Sequence, residues 1–181
     1  MKQETNTSAA STVANTMSDD VADSSLHTRR FGGISRVYGK EGLNRIAAAH
    51  VCVIGIGGVG SWVVESLARS GLGAISMIDM DVVSESNINR QLLATSESIG
   101  RDKVLVMQDR VLQINPDCKV GAIDDFISRD NLLELINPNF DYVIDCIDDF
   151  RIKAALIHHC KKNKIKMLTV GGAGGQVDPS K

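Results

Sequence analysis

Hydrophobic and polar residues follow two periods along this chain, and their alternation predicts strands and helices in turn. Short apolar runs typical of buried strands are followed by segments whose apolar residues lie three and four positions apart, which is the helical spacing. The predicted strands cover 51–54, 74–78, 119–123, 142–145 and 166–170. Because helical segments separate them, the pattern predicts an α/β fold with a Rossmann-like, doubly wound and mostly parallel sheet.

Five helical segments accompany these strands, each with its apolar residues on one face. They are a short arm around Leu43, a helix from Trp62 to Ala68, a helix over 103–114, a short helix over 131–136 and a helix from Ile152 to Cys160. Residues 80–101, in contrast, are polar and show no period. Irregular segments of this length in compact domains usually carry function.

The first 27 residues are rich in Ser, Thr, Ala, Asn and Asp and have almost no bulky apolar side chain, which predicts a disordered N-terminal tail. The remainder, 28–181, has the length of one domain. Neither a secretory signal nor an apolar run long enough to cross a bilayer is present, so we expect a soluble, cytoplasmic protein. The net charge of −2 does not by itself indicate a nucleic-acid partner.

Four cysteines occur without any C-x-x-C pair, a spacing that excludes the usual structural zinc signature. In the cytosol these thiols are expected to stay reduced. Cys52, Cys146 and Cys160 fall within apolar segments and are expected to be buried, whereas Cys118 follows a turn and is the candidate for exposure.

Other polar residues of the last helix have two interpretations. His159 lies near the apolar stripe and is expected to be a packing residue rather than a ligand or base. The lysines that follow either contact an RNA backbone or complement the helix dipole; they are Lys161, Lys162, Lys164 and Lys166.

A glycine-rich turn joins the first strand to the helix that follows it, in the run Gly55-Ile56-Gly57-Gly58-Val59-Gly60-Ser61. In such turns the first glycine permits the bend, the second lets a phosphate approach the backbone, and Gly60 allows close packing of helix on strand. The amides of 58–61 then face an anion. Asp79 follows the second strand, at the distance where an acid binds ribose hydroxyls. Glycine turns also arise for packing alone, so both interpretations stand.

Further polar side chains indicate which nucleotide the turn would bind. They are Asp81, Asn87, Arg90, Gln91, Lys103 and Asp148. A nicotinamide enzyme has no particular use for this set, whereas a nucleoside triphosphate has. Arg90 and Lys103 can neutralise phosphate oxygens, and Asp148, after the fourth strand, can hold Mg²⁺ beside them. The alternatives are solvated surface charges, residues that tie down the loop, and a helix cap at Asp148.

The combined motifs resemble the adenylation domain of the ubiquitin-activating, ThiF-type superfamily. The resemblance rests on 55–61, 79–81, 86–91, 100–103, 114–116 and 145–148. Within that superfamily, the segments 30–33, 36–39 and 171–179 most resemble the tRNA threonylcarbamoyladenosine dehydratases.

The resemblance implies an ATP site with Mg²⁺. It implies that the glycines Gly55, Gly57, Gly58 and Gly60 form the phosphate turn, with Gly57 and Gly58 against the α-phosphate. Asp79 would hold the ribose with Asp81 close by, Asn87, Arg90, Gln91 and Lys103 would contact phosphates, and Asp148 would be the metal ligand. The expected catalytic residues are Arg90, Lys103 and Asp148.

The reaction that the resemblance implies is ATP-dependent dehydration of threonylcarbamoyladenosine at position 37 of tRNA, through an acyl-adenylate that cyclises. The superfamily also implies a homodimer with the helical arms near the interface. The alternative substrate is the C-terminal glycine of a ubiquitin-like sulfur carrier, which makes a sulfur-transfer protein a second candidate partner. A NAD-binding oxidoreductase and an inactive, truncated binding module are further alternatives.

Two departures from the superfamily pattern limit these expectations. Gly33 stands where sulfur-carrier relatives have an arginine that reaches the partner subunit's ATP, which leaves Arg30 and Arg36 as substitutes. The sequence ends at Lys181, before the stretch that completes the sheet in the superfamily. We therefore expect the domain to be incomplete at its C-terminal end, either as a fragment or as a naturally short protein.

Overall fold

The computed structural model describes residues 26–171, and its centre is a parallel sheet of five strands. The strands are β1 (His50–Ile54), β2 (Ala74–Ile78), β3 (Lys119–Ile123), β4 (Tyr142–Asp145) and β5 (Met167–Thr169). Their order is β3-β2-β1-β4-β5, and every neighbouring pair is parallel. The predicted doubly wound α/β fold is thus confirmed.

The helices cover both faces of this sheet. They are α1 (Leu26–Ala48), α2 (Gly60–Arg69), α3 (Lys103–Ile114), α4 (Leu132–Leu135) and α5 (Phe150–Lys162), with one short 3₁₀ turn at Glu85–Asn87. The predicted short arm is the part that differs most. Its 23 residues form two helical parts that meet at a kink, where Gly39 has the non-helical angles φ 76° and ψ 168°, and the buried ring of Phe31 anchors the first part. Leu26 and His27, assigned to the tail by composition, begin it, and the rest of the predicted tail lies outside the described residues.

Alternate side chains of β1 enter two separate cores. Val51 and Val53 pack with α2 and α3 on one face, whereas Cys52 and Ile54 pack with α4 and α5 on the other. A strand buried on both sides reads as a continuous apolar run, which is the pattern that the sequence shows there. His159 is buried in the second core and bonds through Nε2 to the Ile136 carbonyl at 2.8 Å, which confirms its packing role.

All four thiols are free, and the expectation that Cys118 is exposed was wrong. Its side chain is only 5% exposed because the turn after α3 folds it into the first core. Burial raises the pKa of Cys118 to about 11 and that of Cys52 to about 12, so both remain neutral thiols at physiological pH.

The strand order creates a crevice beside β1. The chain proceeds from β1 to β2 and β3 on one side, and then returns so that β4 pairs with the opposite edge of β1. At such a reversal the connections leave the carboxyl ends of the two central strands in opposite directions, and open α/β sheets bind ligands there.

Gly73 and Gly33 provide a matched test of this packing. A Cβ at Gly73 would lie 1.9 Å from the Ala47 carbonyl oxygen, whereas one at Gly33 meets nothing within 4 Å. We expect Gly73→Ala to destabilise the fold by about 1–3 kcal/mol. Gly33→Ala, inside α1, should stabilise it by about 0.5–1 kcal/mol, because alanine loses less backbone entropy. Urea unfolding of both variants measures the difference, and equal effects would contradict the close contact between α1 and the start of β2.

Candidate functional site

A cleft of about 950 Å³ opens at the carboxyl ends of β1, β2 and β4. It brings together every predicted site residue except Gly60. The residues of that set in its wall are Gly55, Gly57, Gly58, Asp79, Asp81, Asn87, Arg90, Gln91, Lys103 and Asp148. Its volume is at the upper end of the range that small-molecule sites occupy.

Two of the turn glycines are required by the fold. Gly55 has φ 83°, a conformation that side chains rarely adopt, and a Cβ there would lie 3.0 Å from the Ile147 side chain. A Cβ at Gly60 would lie 1.8 Å from the Gly55 carbonyl oxygen. Gly60 therefore permits α2 to begin against the end of β1, as predicted, but it does not line the cleft.

The other two glycines are not required by packing. A Cβ at Gly57 would lie 3.8 Å from Gln91 Nε2, and one at Gly58 would lie 3.6 Å from Arg90 Cγ. Both are ordinary contacts, so the fold has room for a side chain at each position. Because glycine has no side chain, the backbone at both positions is open to the cleft. This favours ligand binding over packing as the reason for glycine here.

Asp79 connects two parts of the cleft. Its Oδ2 accepts a hydrogen bond from the Ile56 amide at 2.6 Å, and its Oδ1 accepts one from the Asp81 amide at 2.8 Å. The carboxylate thereby holds the glycine turn against the end of β2, a role that sequence reasoning missed. Each oxygen keeps a lone pair, so a ribose hydroxyl is compatible with these bonds.

Lys103 places an almost fully buried cation beside the cleft. Its side chain is 5% exposed, and Nζ lies 2.7 Å from Asp81 Oδ2, whose side chain is 65% exposed. Lys103 is also the first residue of α3, where the helix dipole disfavours a positive charge. The ammonium and the helix N-terminus together make the local electrostatic potential more positive. Asp81 accepts one of the three N–H donors of the ammonium. The remaining donors suit an anion.

Asn87 stabilises the loop that carries Arg90. Its Oδ1 accepts the Ser84 amide at 3.1 Å, and its carbonyl accepts the amides of Arg90 and Gln91 at 3.1 and 2.9 Å. These bonds support the alternative in which Asn87 holds the loop in place. Its side chain still lines the cleft, so the loop role does not exclude ligand contact.

Arg90 extends along the rim of the glycine turn. Its Nη1 donates to the Ser86 carbonyl and to Asn89 Oδ1, both at 2.9 Å. The indole Nε1 of Trp62 donates to the Arg90 carbonyl at 3.3 Å, which ties the arginine backbone to α2. These bonds orient an exposed guanidinium and leave several of its five donors for a ligand.

Gln91 has an unusual environment in the cleft wall. The residue is 7% exposed, and its Oε1 is buried without a hydrogen-bond partner among residues 26–171. A buried acceptor left unpaired costs about 1–3 kcal/mol. A bound molecule that supplies a donor would remove that cost, so this amide fits a ligand-facing position.

A buried ion pair lies behind the turn that presents Asp148 to the cleft. Asp145 is fully buried, and its Oδ2 lies 2.7 Å from Lys153 Nζ, which also donates to the Val170 carbonyl at 3.0 Å. Asp145 Oδ1 accepts the Ile147 amide at 3.1 Å. The pair thus joins β4, α5 and the end of β5 around the turn that presents Asp148. The sequence contained one signal that Lys153 faces inward: it lies three positions before Leu156, and residues three apart share one face of a helix.

Asp148 itself is exposed in the cleft wall, and within the described chain its carboxylate takes part in no hydrogen bond or ion pair. No group of three or more potential His, Cys, Asp or Glu ligands occurs in that part of the chain. Cys146 lines the cleft as well, but burial and the Asp145 charge raise the pKa of its thiol to about 11. It is therefore a poor nucleophile near neutral pH.

An apolar segment that sequence reasoning did not assign completes the cleft. Residues 125–128, between β3 and α4, contribute the half-exposed ring of Phe126 and the buried Ile127. A flat apolar group such as a nucleobase is suited to this wall.

The two N-terminal arginines differ in their contacts. Arg30 Nη1 donates to the carbonyls of Ile114 and Gln113 at 2.7 and 3.2 Å, which satisfies the C-terminal end of α3. Arg36 is exposed and makes no such contact with residues 26–171. Of the two, Arg36 is the one that the fold leaves available. Over the same range, no helix is both long enough and apolar enough to cross a membrane.

Comparisons with known proteins agree with this geometry. Residues 29–179 match the model of the ThiF family. The chain is 57% identical over 154 residues to the tRNA threonylcarbamoyladenosine dehydratase of Haemophilus influenzae, an alignment that covers 85% of this chain and 59% of the relative. It superimposes on the crystal structure of the E. coli tRNA N6-threonylcarbamoyladenosine dehydratase in complex with ATP with a TM-score of 0.83 and 52% identity, covering 86% of this chain and 65% of that one.

A third relative represents the other substrate class. The sulfur carrier protein adenylyltransferase of Thermus thermophilus is 39% identical over 112 residues, which are 62% of this chain and 41% of the relative. The chain therefore spans about six-tenths of the length of the dehydratases that it matches, and less of the adenylyltransferase.

The buried pair predicts a large, partner-dependent loss of stability. Lys153→Met leaves the Asp145 carboxylate buried and uncompensated, so we expect the free energy of unfolding to fall by about 3–5 kcal/mol. The double variant Asp145→Asn/Lys153→Met removes both charges and should recover much of that loss. Denaturant unfolding of the single and double variants measures the coupling, and additive losses would show that the two side chains do not act as a pair.

Proposed function

Since the chain belongs to the ThiF family, we propose that its cleft binds ATP and activates a carboxylate as an acyl-adenylate. One observation carries the proposal: the open backbone at Gly57 and Gly58, the desolvated ammonium of Lys103 and the guanidinium of Arg90 meet in one cleft. A nicotinamide dinucleotide has no use for the two cations where they lie, whereas a triphosphate requires them.

We infer that the activated carboxylate belongs to threonylcarbamoyladenosine in tRNA. The support is the higher identity to a dehydratase named for that nucleoside than to the sulfur-carrier adenylyltransferase. The E. coli relative was solved in complex with ATP, and its fold matches 86% of this chain. Because this chain spans only part of each relative, the activity of the whole protein is a proposal.

The reaction requires two displacements. A carboxylate oxygen of the substrate attacks the α-phosphorus of ATP, and the bond from that phosphorus to pyrophosphate breaks. A second oxygen of the same side chain then attacks the acyl carbon, forming the ring and releasing AMP, which carries away the carboxylate oxygen. The net result is dehydration of the substrate at the expense of ATP hydrolysis to AMP and pyrophosphate.

The residues of the cleft act mainly on negative charge. Backbone amides of the glycine turn bind the α-phosphate oxygens, and Arg90 and Lys103 stabilise the charge that develops as pyrophosphate leaves. Asp79 accepts a ribose hydroxyl while it holds the turn in place, and Gln91 accepts a donor from the ligand. The adenylation step needs no base, because the carboxylate is already ionised at neutral pH, and the proton lost on ring closure passes to solvent.

Asp148 is the residue that would hold Mg²⁺. A single free carboxylate at the phosphate end of a cleft fits this ion, which is commonly bound by one or two carboxylates together with substrate phosphates. When bound, Mg²⁺ supplies additional neutralisation of the departing pyrophosphate.

We also propose a homodimer in which Arg36, rather than Arg30, is available to the partner subunit's nucleotide. The guanidinium of Arg30 donates to a carbonyl at the end of α3. Arg36, which lies on α1 like Arg30, is exposed and makes no such contact with residues 26–171. A cytoplasmic location is supported by the four unpaired cysteines, which persist as thiols in a reducing compartment.

The choice of nucleotide can be tested by thermal protection. We expect ATP with Mg²⁺ to raise the melting temperature, since a ligand at 100 times its Kd adds about 2.7 kcal/mol, whereas NAD at equal concentration should add little. The Asp148→Asn variant should keep the ATP effect but lose most of the magnesium increment. Equal protection by ATP and NAD would count against adenylation.

The role of Arg90 is tested by turnover. Its charge matters most as pyrophosphate departs, so Arg90→Ala should lower kcat by roughly 10²- to 10³-fold with a smaller change in the ATP KM. Arg45→Ala, which removes an exposed arginine of α1, is the matched control and should leave both parameters unchanged. ATP–pyrophosphate exchange with threonylcarbamoyladenosine-containing tRNA provides the measurement. A pure KM effect at Arg90 would place the arginine on ground-state ATP instead.

A further inference from the structure

Helix α5 runs from the cleft, at the carboxyl ends of the strands, to the amino end of the sheet, where β5 begins. It begins at Phe150, directly after Asp148 and Asp149, and ends at Lys162. Its 13 residues span about 20 Å at 1.5 Å per residue. No residue of this helix is acidic. The side chains that α5 itself contributes beside the cleft are therefore positive or neutral.

Exposed basic residues run along α5, between exposed apolar residues that include Phe150, Ala154 and Ile157. Arg151, Ala154, His158 and Lys162 are exposed, and their spacing of three or four places them on one side of the helix. Lys153, in contrast, faces inward to Asp145. Beyond the helix, the exposed cations continue at Lys164 and Lys166. We call this surface the α5 ridge; it consists of Arg151, His158, Lys161, Lys162, Lys164 and Lys166.

The helix dipole explains only part of the ridge. Lys161 and Lys162 lie in the last turn, where a cation is favoured. Arg151 lies in the first turn, where a cation is disfavoured, and Lys164 and Lys166 lie outside the helix. Lys164 moreover has φ 58°, a left-handed conformation that is uncommon for residues other than glycine and asparagine. Within residues 26–171 none of the ridge side chains forms an ion pair with an acid.

Exposed aromatic rings lie beside cations at both ends of the ridge. Arg151 lies 5.6 Å from the centroid of Phe150, which is 73% exposed and borders a small hollow shared with Asp148. Lys166 lies 5.2 Å from the centroid of Tyr142, which is 47% exposed. A groove or ridge in which cations alternate with aromatic faces matches a nucleic-acid backbone with unstacked bases.

We propose that the α5 ridge binds the phosphate backbone of the RNA whose modified nucleoside enters the cleft. The proposal rests on the proposed function, which makes that RNA a tRNA. The chain carries a net charge of −2, so the ridge is a local concentration of positive charge rather than a property of the whole surface. Phosphates some 20 Å from the reacting nucleoside would contact the lysines, while the nucleoside itself lies beside Asp148.

A charge-matched pair of variants tests the ridge in the full chain. The ridge variant is Lys161→Gln/Lys162→Gln/Lys164→Asn, with asparagine chosen because it tolerates positive φ. The control variant is Lys40→Gln/Arg45→Gln/Lys119→Gln, which removes three exposed cations elsewhere. Binding of tRNA is measured by fluorescence anisotropy over a range of KCl concentrations, because each lost phosphate contact reduces the salt dependence.

We expect the ridge variant to bind tRNA at least 10-fold more weakly than the wild-type protein. The slope of log Kobs against log salt should become shallower by roughly 0.7–0.9 per lost contact, or about 2 in all. The control variant should keep the wild-type slope. Equal slopes in all three proteins, or equal losses in both variants, would overturn the proposal.

Turnover on two substrate lengths separates the ridge from the chemistry. The ridge variant should show a raised KM for tRNA with unchanged kcat and ATP KM. On a trinucleotide that contains threonylcarbamoyladenosine, which is too short to reach the lysines, it should equal the wild-type protein. Loss of activity on both lengths would contradict a backbone-binding role. If the wild-type protein turned over neither substrate, the proposed function would fail, whereas the anisotropy result would still decide whether the ridge binds RNA.

Discussion

Everything in the cleft depends on the two-sided pairing of β1. Because β2 and β4 form ladders with opposite edges of this one strand, their carboxyl ends are held side by side in register with its own. Asp79, which follows β2, and the turn over 146–148, which follows β4, then lie on either side of the glycine turn as a direct result of the strand pairing. Hydrogen bonds between neighbouring strands are therefore enough to bring together residues almost a hundred positions apart in the sequence. A doubly wound sheet builds a site from short loops in this way.

Charge inside the cleft is arranged in opposed pairs rather than as a uniform field. Lys103 is balanced by the exposed Asp81, and the buried Asp145 is balanced by Lys153. Pairs of this kind contribute less to net stability than their short distances suggest, because desolvation offsets much of the Coulomb attraction. Their better-supported consequence is geometric: one pair joins α3 to the segment after β2, and the other joins α5 to the end of β4, next to the turn that presents Asp148.

The sequence predicted those parts of the structure that depend on neighbouring residues. The type and order of the strands and helices followed from periodicity, and the strand–glycine–helix run placed the cleft, because these signals are local. Burial of Cys118, the length of α1 and the partners of Asp79 and Lys153 were missed, because each depends on contacts with distant segments. The glycines Gly32 and Gly33 hid the helical character of α1, although Phe31 anchors it from the inside. The chemical roles of the cleft residues stay predictions, since location alone does not assign them.

The division among the turn glycines has a consequence for divergence within the family. Gly55 and Gly60 are demanded by backbone contacts and would be retained by any descendant that keeps this fold. Packing does not demand Gly57 and Gly58, so a descendant could acquire side chains there and keep the fold. Substitution at the inner pair with retention of the outer pair would therefore mark a changed cleft on the same fold, while loss of the outer pair would mark a changed architecture.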